Sequence, residues 1–183
     1  TYQNNRYTKA IEEFIKLYDD QDIEIYSVAG RSEVGGNHTD HQHGCVLATS
    51  INLDAIAMVT PQKDIVKIVS DDLDIDEINI NDLSKRDDEE GTSESLIRGV
   101  LSKLKEMGGF KAFVTSDVLM GAGLSSSAAF EGLIGTIVSG LYNAMEIDMV
   151  TIAKVGQYAE NVYFGKPCGL MDQCACAVGG LIS

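Results

Sequence analysis

One glycine-rich run, Gly121-Ala-Gly-Leu-Ser-Ser-Ser-Ala, limits the folds open to this chain more than any other feature. It follows a strand-like segment, Phe110 to Ser116, and opens a helix-like one, Ser126 to Tyr142. One face of that helix carries Leu133, Ile134, Ile137, Val138 and Leu141. The other carries Gly132, Gly135, Ser139 and Gly140, which permits close backbone packing. In the turn itself, glycines let the backbone approach a ligand with its N–H groups turned inward. The helix start adds free N–H groups and a dipole that favours anions. Three serines add hydroxyls, one of them suited to Mg²⁺. Such a segment is a phosphate cradle without the lysine of a Walker loop. A plain glycine turn with a serine cap is the alternative.

The rest of the chain reads as mixed α and β. Arg6 to Tyr18 has helical spacing, and Glu24 to Val28 alternates into a strand that delivers a loop at Gly30. Cys45 to Leu53 and Ala55 to Thr60 read as a β pair, and Ile65 to Val69 and Ile75 to Ile80 as short strands. Thr92 or Ser93 caps a helix whose stripe runs from Leu96 to Met107, ended by Gly108-Gly109. Asp148 caps another that runs to about Phe164.

The 183 residues fit one domain, or part of a larger one, and 44% apolar content is enough for a packed core. A formal charge of -14 argues against nucleic acid and anionic membrane as partners. Residues 71 to 90 hold ten of the acids against Lys85 and Arg86, which reads as a solvated loop and edge. The four cysteines, Cys45, Cys168, Cys174 and Cys176, form neither a zinc spacing nor a redox pair, which fits a cytoplasmic setting. No signal peptide or apolar run of membrane length is visible.

Gly30 to Asp40, read G-R-S-E-V-G-G-N-H-T-D, concentrates binding groups. Arg31 offers a planar fork of donors for phosphate oxygens. Asn37, His38 and Asp40 can share hydrogen bonds with hydroxyls. His38, His41 and His43 also cluster, but their spacing is not a standard helical metal pair and Arg31 disfavours a cation nearby, so a sugar ranks above a metal. Further on, Glu160 and Asp172 are separated by a Pro-Gly turn. One carboxylate could hold a metal and the other face a hydroxyl nucleophile. Taken alone, a solvated helix glutamate and a capping aspartate are the simpler readings.

Taken together and in order, G-R-x-x-x-x-G-x-H-T-D, G-A-G-L-S-S-S-A-A and A-E-N…C-G-L-M-D-Q closely resemble the galactokinases of the GHMP small-molecule kinase superfamily. The resemblance covers about Tyr7 onward. It implies an α+β fold over residues 1–183: a ribosomal-protein-like two-layer α/β sandwich, a mixed sheet with helices packed on one face. It also implies transfer of a phosphoryl group from ATP to the anomeric hydroxyl of galactose, in a cleft closed by a C-terminal domain of the same protein. By position, Arg31 and Asp172 match the catalytic pair. Glu33, Asn37, His38, Asp40, Gly169 and Asp172 fall where the sugar is contacted. Gly121, Gly123, Leu124, Ser125, Ser126 and Ser127 form the phosphate loop, and Ser127 and Glu160 match the Mg²⁺ ligands.

Three positions depart from the family. Glu33 stands where Asn is usual, Asn37 where Glu is usual, and His41 where Tyr is usual. The first two are reciprocal, so one carboxylate and one amide survive with places exchanged. Because of Asn37, a kinase for N-acetylgalactosamine or arabinose stays open beside galactose, as does a non-catalytic galactose- and ATP-binding regulator. The intact Ser125-Ser126-Ser127-Ala128-Ala129 run favours an enzyme. Galactokinases are also considerably longer, so this chain is expected to be a fragment that lacks their third glycine-rich motif. On its own it should be inactive and should self-associate through its uncovered apolar surface.

Overall fold

A computed structural model describes residues 1–19, 22–71 and 75–183. The core is a mixed sheet of β1 (Glu24–Gly35), β2 (Leu47–Gln62), β5 (Gly109–Ser116), β3 (Ile65–Ser70) and β4 (Ile78–Asn79), in that spatial order. Neighbours are antiparallel except β3 and β5, which run parallel. A short strand β6 (Leu181–Ile182) pairs with the start of β2 at Ala48 and Thr49.

Alternation along β2 builds two cores. Ala55, Ala57 and Val59 join Val66, Ile68, Phe110, Ala112 and Val114 beneath α2 (Ser93–Leu101) and α3 (Ser126–Asn143). Ile56 and Met58 point the other way, against Ala10 and Phe14 of α1 (Tyr2–Tyr18). The expected two-layer sandwich is therefore present, and α1 adds cover to the opposite face of the sheet.

Helix α3 packs as its bare face requires. A Cβ at Gly132 would lie 3.3 Å from Val28, one at Gly135 2.8 Å from Ile152, and one at Gly140 2.2 Å from the Tyr26 hydroxyl. The strand β1 and the helix α4 (Met149–Tyr158) thus approach closer than any side chain would allow. Asp148 caps α4 by accepting from the Thr151 N–H at 2.9 Å, and Thr92 caps α2 by accepting from Ser95 N–H.

Five expectations change. The pair at Cys45 to Thr60 is one long strand, β2. Asp54, which stands between the two expected strands, lies within it, where its carboxylate accepts from Ser27 and its carbonyl from Arg6. The strand before Gly30 does not end there: β1 continues to Gly35 through irregularities at Ala29/Arg31 and Glu33/Gly35. Helix α2 stops at Leu101, although Leu104 beyond it stays buried in the same core. The helix expected to reach Phe164 leaves α geometry at Ala159 and finishes as a π-helical turn, Ala159–Phe164. Of Ile75 to Ile80, only Ile78 and Asn79 pair as strand, and Asp72 and Asp74 of the acidic segment lie outside the described residues.

Candidate active site

Arg31 sits on β1 just past the first irregularity and is 5% exposed. Its Nε donates to Asp172 Oδ1 at 2.7 Å and its Nη2 to Asp172 Oδ2 at 2.8 Å, a bidentate pair. Its Nη1 donates to the Gly123 carbonyl at 2.7 Å, and its backbone N–H to the Leu124 carbonyl at 3.1 Å. The glycine before it makes this possible. A Cβ at Gly30 would lie 3.0 Å from the Leu124 carbonyl and 2.9 Å from Val118. The glycine-serine turn therefore rests directly on the β1 backbone.

Asp172 is the second residue of α5 (Met171–Val178). Burial works against its charged form. Hydrogen bonds from Arg31 and Ser125, with the Arg31 charge, outweigh that and hold its pKa below the usual aspartate value. Ser125 carries the N-cap of α3 in a left-handed conformation, φ 57°. Its side chain makes no cap and donates instead to Asp172 Oδ2. That contact was not visible in the sequence, where Ser125 was only one of three serines in the turn.

The turn has the freedom a cradle needs. Gly121 and Gly123 lie at φ 74° and 72°, and a Cβ at either would meet nothing within 4 Å. Ser126 and Ser127 open α3 and line a cavity of about 370 Å³. Leu96, Val118, Leu119, Met120 and Phe130 give that cavity apolar walls.

On the other side of Asp172, Asp40 holds the start of α5. Its Oδ2 accepts from the Met171 N–H at 2.9 Å. A Cβ on Gly169 would lie 1.9 Å from that same oxygen, so only glycine admits the carboxylate there. Glu33 is turned onto His38: Oε1 accepts from the His38 backbone N–H at 2.9 Å, and Oε2 lies 3.1 Å from its Nε2. Asn37 and His38 both adopt left-handed backbone, φ 56° and 52°. Asn37, His41 and His43 are exposed. Among the described residues no three His, Cys, Asp or Glu side chains are grouped to hold a metal. The four cysteines are free.

Glu160 lies on the π turn, 2% exposed. Its Oε1 accepts from Ser127 Oγ at 3.2 Å and Lys166 Nζ at 3.1 Å, and its Oε2 from Gln173 Nε2 at 2.8 Å. Gln173 Nε2 also reaches Glu131 Oε2 at 3.2 Å. Glu131 is 1% exposed, and burial, then the charge on Glu160, pushes its pKa well above the usual glutamate range. Sequence reasoning named Glu160 and Ser127 here and missed Glu131, Gln173 and Lys166. Their relevance depends on helices α3 and α5 meeting across this turn.

Known proteins share both halves of this arrangement. The GHMP kinases N terminal domain matches residues 95–180, and the galactokinase galactose-binding signature matches residues 12–61. The fold and the site together are similar to those of a GHMP kinase N-terminal domain. Among such kinases, the galactokinases are the members it resembles. It is 33% identical to a galactokinase of Lactobacillus helveticus over 180 residues, covering 92% of this chain and 46% of that protein. With a Streptomyces coelicolor galactokinase it shares 36% over 173 residues, covering 91% and 44%. The chain spans about half the length of these relatives. In fold it matches a Lactococcus lactis galactokinase complexed with galactose, TM-score 0.82 at 24% identity over 92% of this chain and 45% of that one. A mevalonate kinase of Methanococcus jannaschii superposes with TM-score 0.71 at 22% identity, over 87% and 52%. Among the described residues no helix is long and apolar enough to cross a membrane.

Proposed function

We propose that the intact protein transfers the γ-phosphoryl group of ATP to the anomeric hydroxyl of galactose, giving galactose 1-phosphate and ADP. The observation that carries this is the bidentate Arg31–Asp172 pair, fixed against the carbonyl of a left-handed glycine in the phosphate turn. It brings a buried cation for phosphate oxygens beside an ionised carboxylate for a hydroxyl. The sugar would lie against Asp172, with His38, Asp40, Glu33, Asn37 and Gly169 around it. The triphosphate would lie along Gly121 to Ser127 and the adenine in the apolar cavity that opens beside Ser126 and Ser127.

In the transfer, the anomeric oxygen bonds to the γ-phosphorus as the bond to the β,γ-bridging oxygen breaks. The hydroxyl proton leaves toward Asp172. A carboxylate held at low pKa by Arg31 and Ser125 is a weak base, so its first task is to orient the hydroxyl, with the proton moving late. Arg31 supports the negative charge on the transferred group. The Ser127 hydroxyl and Glu160 carboxylate form an all-oxygen donor pair of the kind Mg²⁺ takes together with substrate phosphates. Mg²⁺ held there would neutralise charge on the β- and γ-phosphates. The C-terminal domain of longer relatives would supply the facing wall of the cleft, which makes this chain alone inactive in our reading.

A panel of galactose, N-acetylgalactosamine, arabinose and glucose, with ADP release measured on the intact protein, tests this. We expect turnover with galactose to exceed the others. Turnover confined to another sugar would reassign the substrate, and tight galactose and ATP binding without turnover would point to the regulator.

A further inference from the structure

The π turn does something to Glu160 that the proposed reaction does not call for. An α-helix through residues 159–164 would carry the following residues onward along its axis. Here the helix widens, Gly165 reverses the chain at φ 82°, and the Lys166 N–H donates back to the Glu160 carbonyl at 3.0 Å. The reversal requires glycine for a second reason: a Cβ at Gly165 would sit 2.3 Å from Glu90 Oε1. The outcome is that the Lys166 ammonium lies 3.1 Å from Glu160 Oε1, the same oxygen that Ser127 meets at 3.2 Å.

The two partners of this ion pair differ sharply in exposure. The Glu160 side chain is 3% exposed and held by Ser127 and Gln173, whereas the Lys166 side chain is 63% exposed. A long, solvated stem can leave a buried carboxylate that cannot follow it.

We propose that Lys166 is a tethered counter-cation of Glu160 that competes with Mg²⁺ for its carboxylate when no nucleotide is bound. This rests on the assignment of Ser127 and Glu160 as the metal ligands. A buried carboxylate beside another, Glu131, needs compensating charge, and Lys166 supplies it in the free protein. A divalent ion arriving alone meets an occupied oxygen and a repelling ammonium. An ion arriving with a triphosphate brings anionic oxygens that give Lys166 a new partner, so metal loading is coupled to nucleotide loading. Lys166 is thus a positioning residue for the metal site.

Mn²⁺ serves as a spectroscopic probe of the site, with free ion counted by electron paramagnetic resonance during titration of the nucleotide-free intact protein. Lys166→Gln is expected to lower the Mn²⁺ dissociation constant by about tenfold, the scale of removing one like charge next to a partly solvated site. Lys166→Arg keeps the charge and should stay near wild type. With ATP present the difference between wild type and Lys166→Gln should shrink. Unchanged or weaker Mn²⁺ binding by Lys166→Gln overturns the competition. Glu160→Gln separates this from failure of the underlying assignment. If it binds Mn²⁺ as wild type does, the metal does not sit on Glu160 and both readings fall. If it loses the ion while Lys166→Gln gains nothing, only the role of Lys166 falls. Circular dichroism melting of each variant establishes that it is folded before titration.

Discussion

Asp172 and Gln173 are consecutive on α5 and face two buried polar clusters that solve the same electrostatic problem in opposite ways. Toward β1, one carboxylate meets a guanidinium and a hydroxyl and stays charged, with a lowered pKa. Toward α3 and the π turn, two carboxylates, Glu131 and Glu160, share the single amide nitrogen of Gln173, and Glu131 is driven toward its neutral form. Oxygens of Glu131 and Gln173 there have no partner within the described residues. The first cluster is a fixed ion pair suited to holding a reacting hydroxyl. The second gathers two carboxylates around one amide, with the exposed ammonium of Lys166 as the cation on Glu160. Two consecutive residues of α5 thus face one cluster built on a buried cation and another whose cation stands at the surface.

The largest way to break the contrast is to remove the persistent charge. Asp172→Ala should lower kcat by at least ~10² in the intact protein, the scale of losing an acid–base or orienting group. Arg31→Lys should be damaging too, since a point charge cannot replace the planar fork. Steady-state assays with galactose decide this, and near-normal turnover in Asp172→Ala would end the assigned role. The next effect is on stability. Gln173→Leu leaves both carboxylates without their shared donor and should cost about 3 kcal/mol in urea unfolding. Little change there would mean that water already satisfies the cluster.

Stability against pH should separate the two clusters by sign. Asp172 has a lowered folded pKa, so its contribution is present above the ordinary aspartate value, about 4, and is lost as pH falls through the folded value. Glu131 has a raised folded pKa, so the folded state holds a proton that the unfolded state has released. Its penalty therefore appears as pH rises above the ordinary glutamate value, about 4.3. Glu131→Gln should then be more stable than wild type at neutral pH, by about 1 kcal/mol, while Asp172→Asn flattens the acid limb. Urea unfolding between acid and neutral pH measures both. Parallel curves for the two variants would erase the distinction.

The smallest effect belongs to an exposed control. Glu33 Oε2 lies 3.1 Å from His38 Nε2, with the His38 side chain 54% exposed, and such solvated contacts contribute little to stability. Glu33→Gln should leave unfolding unchanged yet raise the KM for the sugar a few-fold, with that for ATP nearly constant, because Glu33 holds the left-handed turn at Asn37 and His38. If neither constant moves, and Asn37→Ala is also silent, the exchange of Glu33 and Asn37 has no bearing on the sugar.

Legibility followed the same divide. Arg31, Asp172 and the Gly121 to Ser127 turn announced themselves because each function needs a particular residue type at a particular spacing. So did the glycine face of α3, because close packing needs a missing side chain. The cluster around Glu160 was legible only in part. Glu131 looked like one polar residue on a helix, Gln173 like a neighbour of Asp172, and Lys166 like a loop lysine; only tertiary packing sets them around Glu160. Asp54 stood between the two expected strands for the same reason, since Arg6 and Ser27 are seen to use it only in the fold. The end of α2 was misjudged because Leu104 keeps the apolar rhythm after the helical hydrogen bonds stop.

The Arg31–Asp172 pair spans 141 positions of sequence, and that distance is also an interval of time. During synthesis from the N-terminus, Arg31 is laid down on the order of ten seconds before Asp172 at ordinary elongation rates. Throughout that interval β1 and β2 can pair, yet the guanidinium lacks the carboxylate that makes its burial tolerable. The nascent sheet must therefore leave Arg31 in water, or bound to a passing anion, until α5 emerges. Helix α5 locks the first strand, and the two halves of this ion pair meet only once it has emerged.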